Sequence, residues 1–251
     1  MSPPSGALSN EAFEEALPHA FAAAFLDFVR QEPLRTEARG AVAFADRGEP
    51  SVVAAAPPCV GRNPGHLLHG TLRGRGLSNV ACYLAQCPDG TVVGGMAVWV
   101  LDPSLEGPPG SCHGGCIAAL LDDACCATAL EHLHNADGGA DDSVTGSSSG
   151  GGGPAAFRAR MVSQRVDYKA KTPLPGRIAC LAQIERVERQ GSRWLVTCRG
   201  RLLAMKGDGS AAAVACEVSE CCEVCEPVAV PPRPQGSQSG GVFGAAAIQC
   251  F

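Results

Sequence analysis

Residues Gly110-Ser111-Cys112-His113-Gly114-Gly115 run straight into Cys116-Ile117-Ala118-Ala119-Leu120-Leu121-Asp122-Asp123. Two glycines at the start of an apolar helix leave its first backbone N–H groups uncovered by side chains. Such N–H groups carry partial positive charge and suit a developing oxyanion. Two turns on, Asp122 or Asp123 can handle a proton or activate a water. Both lie off the main apolar stripe, so the helical wheel does not choose between them. Together these residues form half of an acyl-transfer site and mark the chain as an enzyme candidate.

The two halves are far apart. Nine helical residues separate His113 from Asp122, a rise of roughly 13–14 Å at 1.5 Å each. One carbonyl cannot lie at the helix start and also beside a water held by Asp122 of the same helix. A second subunit must supply one half, so the chemistry asks for a homodimer or a dimer of dimers.

The helix is expected at about 112–134, with Ile117, Leu121, Ala124 and Thr128 on one face. Before it, residues 77–87 and 91–101 read as strands joined by the turn Pro88-Asp89-Gly90. After it, 135–154 is Gly, Ser and Asp with almost nothing apolar, a flexible insertion with no core. Strands follow at 158–171, 177–188, 193–205 and 211–225. One helix followed by a meander implies an α+β architecture, an antiparallel sheet of six strands on one helix. One sheet face then stays free for a partner. At the N-terminus, Phe13, Leu17, Phe21, Phe25 and Phe28 make a helical stripe over 9–32, interrupted at Pro18. It reads as a packing helix or a lid. The divisions are therefore 1–35 helical, 36–75 irregular, 76–226 the main domain and 227–251 a disordered tail.

The chain has 251 residues, 45% of them hydrophobic, enough for one domain with a substantial core. A net charge of -5 and 5% aromatic residues argue against nucleic acid as a partner. No apolar run spans a bilayer, and the N-terminus lacks the pattern of a secretion or transit signal, so a cytoplasmic protein is expected, with an organelle as the other location. Of the 14 cysteines, only Cys222-Glu223-Val224-Cys225 has metal-ligand spacing, and it has no second pair. Cys82, Cys116, Cys125, Cys126, Cys180 and Cys198 sit among Ala, Val and Leu and read as small buried apolar residues. The reading needs neither a metal nor a cofactor.

In order along the chain come Gly76-Leu77, the hairpin, Leu105-Glu106-Gly107-Pro108-Pro109-Gly110, His113-Gly114-Gly115, Asp122, Val166-Asp167-Tyr168 and Pro173-Leu174-Pro175. Residues 76–225 thereby resemble the hotdog-fold acyl-CoA thioesterases. Within them the resemblance is to the phenylacetate-pathway-type and mammalian thioesterase-superfamily-member-like group, with a His-Gly-Gly helix start and an Asp nine residues after the His. The resemblance implies an antiparallel sheet wrapped around one long central helix. It implies that the Gly114 N–H, helped by Gly115, polarises the thioester carbonyl. It makes Asp122 the catalytic carboxylate, as general base or as nucleophile, and has His113 position the loop. Asp123 is the competitor, and the spacing favours Asp122.

Two departures stand out. Relatives often place a Thr or Ser on the strand after the helix to hold the water. The matching position is Met161, with Ser163 the nearest hydroxyl on what reads as the same strand face. Some relatives carry an Asn before the His where this chain has Gly107. For coenzyme A phosphates, Lys169, Lys171 and Arg177 flank the end of the Tyr168 strand, with Arg158, Arg160 and Arg165 upstream. Acyl-CoA is the expected ligand. The rival readings are a non-catalytic acyl-CoA-binding or regulatory module and a hotdog dehydratase. The chain lacks the Asp-x-Asn-x-x-His run of the latter.

Overall fold

The computed structural model describes residues 21–31, 48–55, 67–72, 75–137, 156–191, 193–205, 211–228 and 249–250. The break expected at Pro18, most of the Gly/Ser/Asp insertion and most of the C-terminal tail lie outside these residues.

Pro88-Asp89-Gly90 closes the hairpin as its chemistry requires. Gly90 holds φ +87°, and the Asp89 carboxylate accepts from the Thr91 N–H at 2.9 Å. The hairpin joins β2 (Leu77–Gln86) to β3 (Val92–Leu101). The helix α2 spans Gly114–Asp137, three residues past the expected end. It is followed by β4 (Ala156–Tyr168), β5 (Gly176–Gln190), β6 (Arg193–Met205) and β7 (Ala211–Val228).

Two strands went unread in the sequence. β1 (Ser51–Ala55), inside the stretch that read as irregular, pairs antiparallel with β2. β8 (Gln249–Cys250) pairs parallel with β4. The sheet therefore has eight strands, not six, in the order β1-β2-β3-β5-β6-β7-β4-β8. Nor is the part after the helix a simple meander. β4 pairs with β7 rather than β5, so the strand that leaves α2 lies at the far side of the sheet.

α2 packs into one face of this sheet. Trp99, Leu101, Ile178, Cys180, Ile184 and Cys216 meet Ile117, Leu121, Cys125 and Leu133 in one core. The opposite face is not free. A first helix, α1 (residues 21–30), covers it. Phe21, Phe25, Phe28 and Val29 are buried there against Val93, Met96, Val98, Ala179 and Leu181. β3 accordingly alternates between two apolar environments rather than between core and water, which is why it reads as one continuous apolar run. Gly94 and Gly95 make room for both helices. A Cβ on Gly94 would come 2.8 Å from Val29 Cγ2, and one on Gly95 would come 2.2 Å from Thr128 Oγ1. Buried Gln183 pins α1 by donating from Nε2 to the Val29 carbonyl at 2.7 Å. Arg199 and Arg201 stack on Phe28, at 5.3 and 5.0 Å from its ring centre.

Candidate active site

The loop before α2 is held from two sides. The His113 N–H donates to the Leu105 carbonyl at 2.9 Å, and the Cys112 N–H donates to the Thr172 carbonyl at 2.9 Å. Ser111 bridges to Pro173, and the Leu174 N–H donates to the Gly110 carbonyl at 3.1 Å. The Pro173-Leu174-Pro175 turn thus anchors the Gly-Pro-Pro-Gly turn, and both fix where the helix begins.

His113 is the N-cap. Its carbonyl accepts from Cys116 and Ile117, the first bonds of the helix, and its ring Nδ1 accepts from the Gly115 N–H at 3.0 Å. An accepting Nδ1 places the ring proton of neutral His113 on Nε2. The Gly115 N–H, expected to help the carbonyl, is thereby engaged by the cap. The Gly114 N–H donates to no group among the described residues. Tyr168, across from it on β4, donates from Oη to the Gly114 carbonyl at 2.8 Å. A Cβ on Gly114 would sit 3.2 Å from that oxygen. Gly114 is a close-approach glycine with an open donor.

Asp122 and Asp123 lie against different parts of the sheet. Asp122 is half-buried. Its Oδ1 accepts from Cys126 Sγ at 3.5 Å, and Cys126 Sγ lies 3.3 Å from Cys222 Sγ on β7. Asp123 is buried and lines a cavity of about 40 Å³ with Ala55, Cys82, Met96, Thr128 and Glu131. Burial pushes the Glu131 carboxyl up, against the opposing pull of His134. The wheel could not separate the two aspartates because the sheet, not the helix, distinguishes them.

On β4 the expected shared face of Met161 and Ser163 does not hold. A bulge lies between them, with Met161 opposite Cys222 and Ser163 opposite Cys221. The extra residue, Val162, reverses the alternation. Gln164 turns to the helix, donating from Nε2 to the Ala118 carbonyl at 3.0 Å. Ser163, its neighbour, faces the other way and is exposed. Gln164 went unread in the sequence because the register of the bulge is set by β7. Gly107 packs under the cap, where a Cβ would come 2.9 Å from His113 Cα.

The basic residues are not equivalent. Lys169 lies 3.6 Å from Glu217 and 3.9 Å from Asp167. Lys171 is exposed, and Arg177 is half-buried on β5 beside Val100. Arg165 is 3.9 Å from Asp167. The thiols behave as buried apolar groups: burial pushes Cys82 up to about 11 and Cys180 well above the ordinary range. Cys116 differs, lowered by a hydrogen bond from Cys112. No group of three or more His, Cys, Asp or Glu among the described residues is placed to hold a metal ion. No described helix is long and apolar enough to cross a membrane.

No family model matches the chain, and no curated protein matches it. The solved structures it resembles are consistently thioesterase-superfamily proteins. One is a thioesterase family protein from Silicibacter pomeroyi, at 15% identity and TM-score 0.39, covering 62% of this chain and 89% of that one. Another is the E. coli PaaI protein from the phenylacetic acid degradation operon, at 10% identity and TM-score 0.39, covering 63% and 83%. A third is smu.793 from Streptococcus mutans bound to acetyl CoA, at 10% identity and TM-score 0.36, covering 53% and 82%.

Proposed function

We propose that this chain is a hotdog-fold acyl-CoA thioesterase that works as a homodimer with shared sites. The observation that carries the reading is the open Gly114 N–H at a capped, doubly anchored helix start, with Asp122 on the same helix. Eight residues at about 1.5 Å separate them by roughly 12 Å. In the proposed site the thioester oxygen accepts from the Gly114 N–H of one protomer, at the positive end of α2. Asp122 of the other protomer activates a water, or attacks directly. The tetrahedral intermediate collapses, the C–S bond breaks, and the free acid and coenzyme A leave. Lys171 and Arg177, near the turn after β4, receive the coenzyme A phosphates.

β4 supports the dimer. Among the described residues, only β7 flanks it over most of its length. Met161, Val162 and Tyr168 are exposed on β4, at 43%, 55% and 53%. An edge strand of this length pairs readily with a second copy. With α1 over the other sheet face, a dimer through β4 is favoured over stacking of sheets through that face.

One observation favours a non-catalytic acyl-CoA-binding or regulatory module instead. Gly115 is spent on His113, and Gly107 offers no amide, so one backbone N–H would stabilise the oxyanion alone. Release of thiol from a panel of acyl-CoA thioesters decides between them. Turnover that is lost in Asp122→Asn supports the enzyme. Saturable acyl-CoA binding with no thiol release from any member of the panel supports the module.

A further inference from the structure

Three groups form a chain across the inside of the fold. Cys222 Sγ lies 3.3 Å from Cys126 Sγ, and Cys126 Sγ donates to Asp122 Oδ1 at 3.5 Å. The two cysteines are 96 residues apart in the chain. One stands on α2, a turn after Asp122, and the other on β7 opposite Met161. Closing them to a disulfide needs little more than about 1 Å of approach.

We propose that Cys126 and Cys222 form an oxidisable dithiol whose disulfide takes the hydrogen bond off Asp122 and ties the catalytic helix to the sheet. The co-reactant is hydrogen peroxide. Asp122 is half-buried and is the most exposed of the three groups; both cysteines are buried. The carboxylate takes the Cys126 proton, and the thiolate attacks a peroxide oxygen. The O–O bond breaks, the Asp122 carboxyl returns its proton to the departing hydroxide, which leaves as one water, and Cys126 becomes a sulfenic acid. The Cys222 sulfur then displaces its hydroxyl group. The S–S bond forms, and the Cys222 proton leaves with that hydroxyl as a second water. Two thiols are oxidised by two electrons and one peroxide is reduced to two waters. A thiol reductant reverses the step.

A competing pair exists. Cys112 and Cys116 hydrogen-bond to each other at the helix start. They are four residues apart, so a link there ties one turn to its own cap. Cys126–Cys222 crosses from helix to sheet and includes the group that contacts Asp122.

The inference about activity rests on the thioesterase reading, and the covalent step does not. The test uses the reduced full chain, exposed to stoichiometric hydrogen peroxide. Remaining thiols are then blocked with iodoacetamide and the digest is read by mass spectrometry. A peptide linking Cys126 to Cys222 is expected, lighter by two hydrogens, absent after dithiothreitol and absent in Cys222→Ala. Turnover of acyl-CoA falls about tenfold in the oxidised chain, the scale of one hydrogen bond to a carboxylate. Reduced Cys222→Ala keeps its activity, and peroxide leaves its Cys126 as a sulfenic acid with no link to the sheet. Alkylated Cys126 and Cys222 after peroxide, or a link confined to Cys112 and Cys116, overturns the proposal. A mapped disulfide in a chain that hydrolyses no acyl-CoA leaves the dithiol standing and sinks the thioesterase reading.

Discussion

His113 Nδ1 accepts from the Gly115 N–H at 3.0 Å, so the histidine consumes one of the two donors that its own motif presents. On the proposed reading its role is to fix the helix start and leave the Gly114 N–H to face a ligand. His113→Ala removes the cap and is expected to cost about 1 kcal/mol of stability. It also lowers turnover by loosening Gly114. His113→Asn supplies another cap acceptor and recovers most of both losses. Thermal denaturation and steady-state rates on the three proteins check this. An Ala variant with full stability and no activity would instead make His113 a proton carrier.

Asp122 and Asp123 separate by surroundings. Asp122→Asn is expected to lower kcat at least about a hundredfold, as loss of a base or nucleophile does, with the fold intact by circular dichroism. Asp123→Asn, on the cavity side, stays within about tenfold. A dead Asp123→Asn beside an active Asp122→Asn would move the chemistry to the Glu131 side of the helix.

Gly107 leaves no room for the amide that some hotdog thioesterases carry before the His. A Cβ at that position comes 2.9 Å from His113 Cα and 3.2 Å from His113 Cβ. Gly107→Asn is expected to displace the cap, lowering the melting temperature and giving no gain in kcat. A faster enzyme with unchanged melting temperature would show that the loop shifts freely enough to admit the side chain.

α1 is part of the core. Phe25 is 0% exposed beneath the sheet, and Phe25→Ala is expected to cost about 3–5 kcal/mol in denaturant titration. A change below about 1 kcal/mol would make α1 a detachable lid.

Much of this was legible from local chemistry. Pro88-Asp89-Gly90 marks its turn because Asp89 and Gly90 meet the turn's needs by themselves, and the glycine start of α2 is equally local. What depended on distant partners was not legible. Ser51–Ala55 is too short and Ala-rich to announce a strand, and only pairing with β2 makes it one. The reversal at Val162 follows from what β7 presents opposite it. The free sheet face was misread although β3 held the clue, since Val92–Leu101 has no polar alternation. A strand apolar on both faces needs cover on both.

The proposed shared site gives the sharpest prediction. Gly114 is the first residue of α2, a position where proline is tolerated, so Gly114→Pro removes the N–H with little damage to the helix. Any Cβ there presses on Tyr168 Oη, 3.2 Å away. Gly114→Ala carries the same Cβ and keeps the N–H, so it separates the steric effect from the lost donor. Homodimers of Asp122→Asn and of Gly114→Pro are each expected to be inactive, with Gly114→Ala retaining more turnover than Gly114→Pro. A mixed dimer of Asp122→Asn with Gly114→Pro carries both lesions in one site and neither in the other. It should recover about half of the wild-type activity per dimer, if subunits exchange. Mixed dimers verified by mass and still inactive would sink the shared site, as would an active monomer on a sizing column.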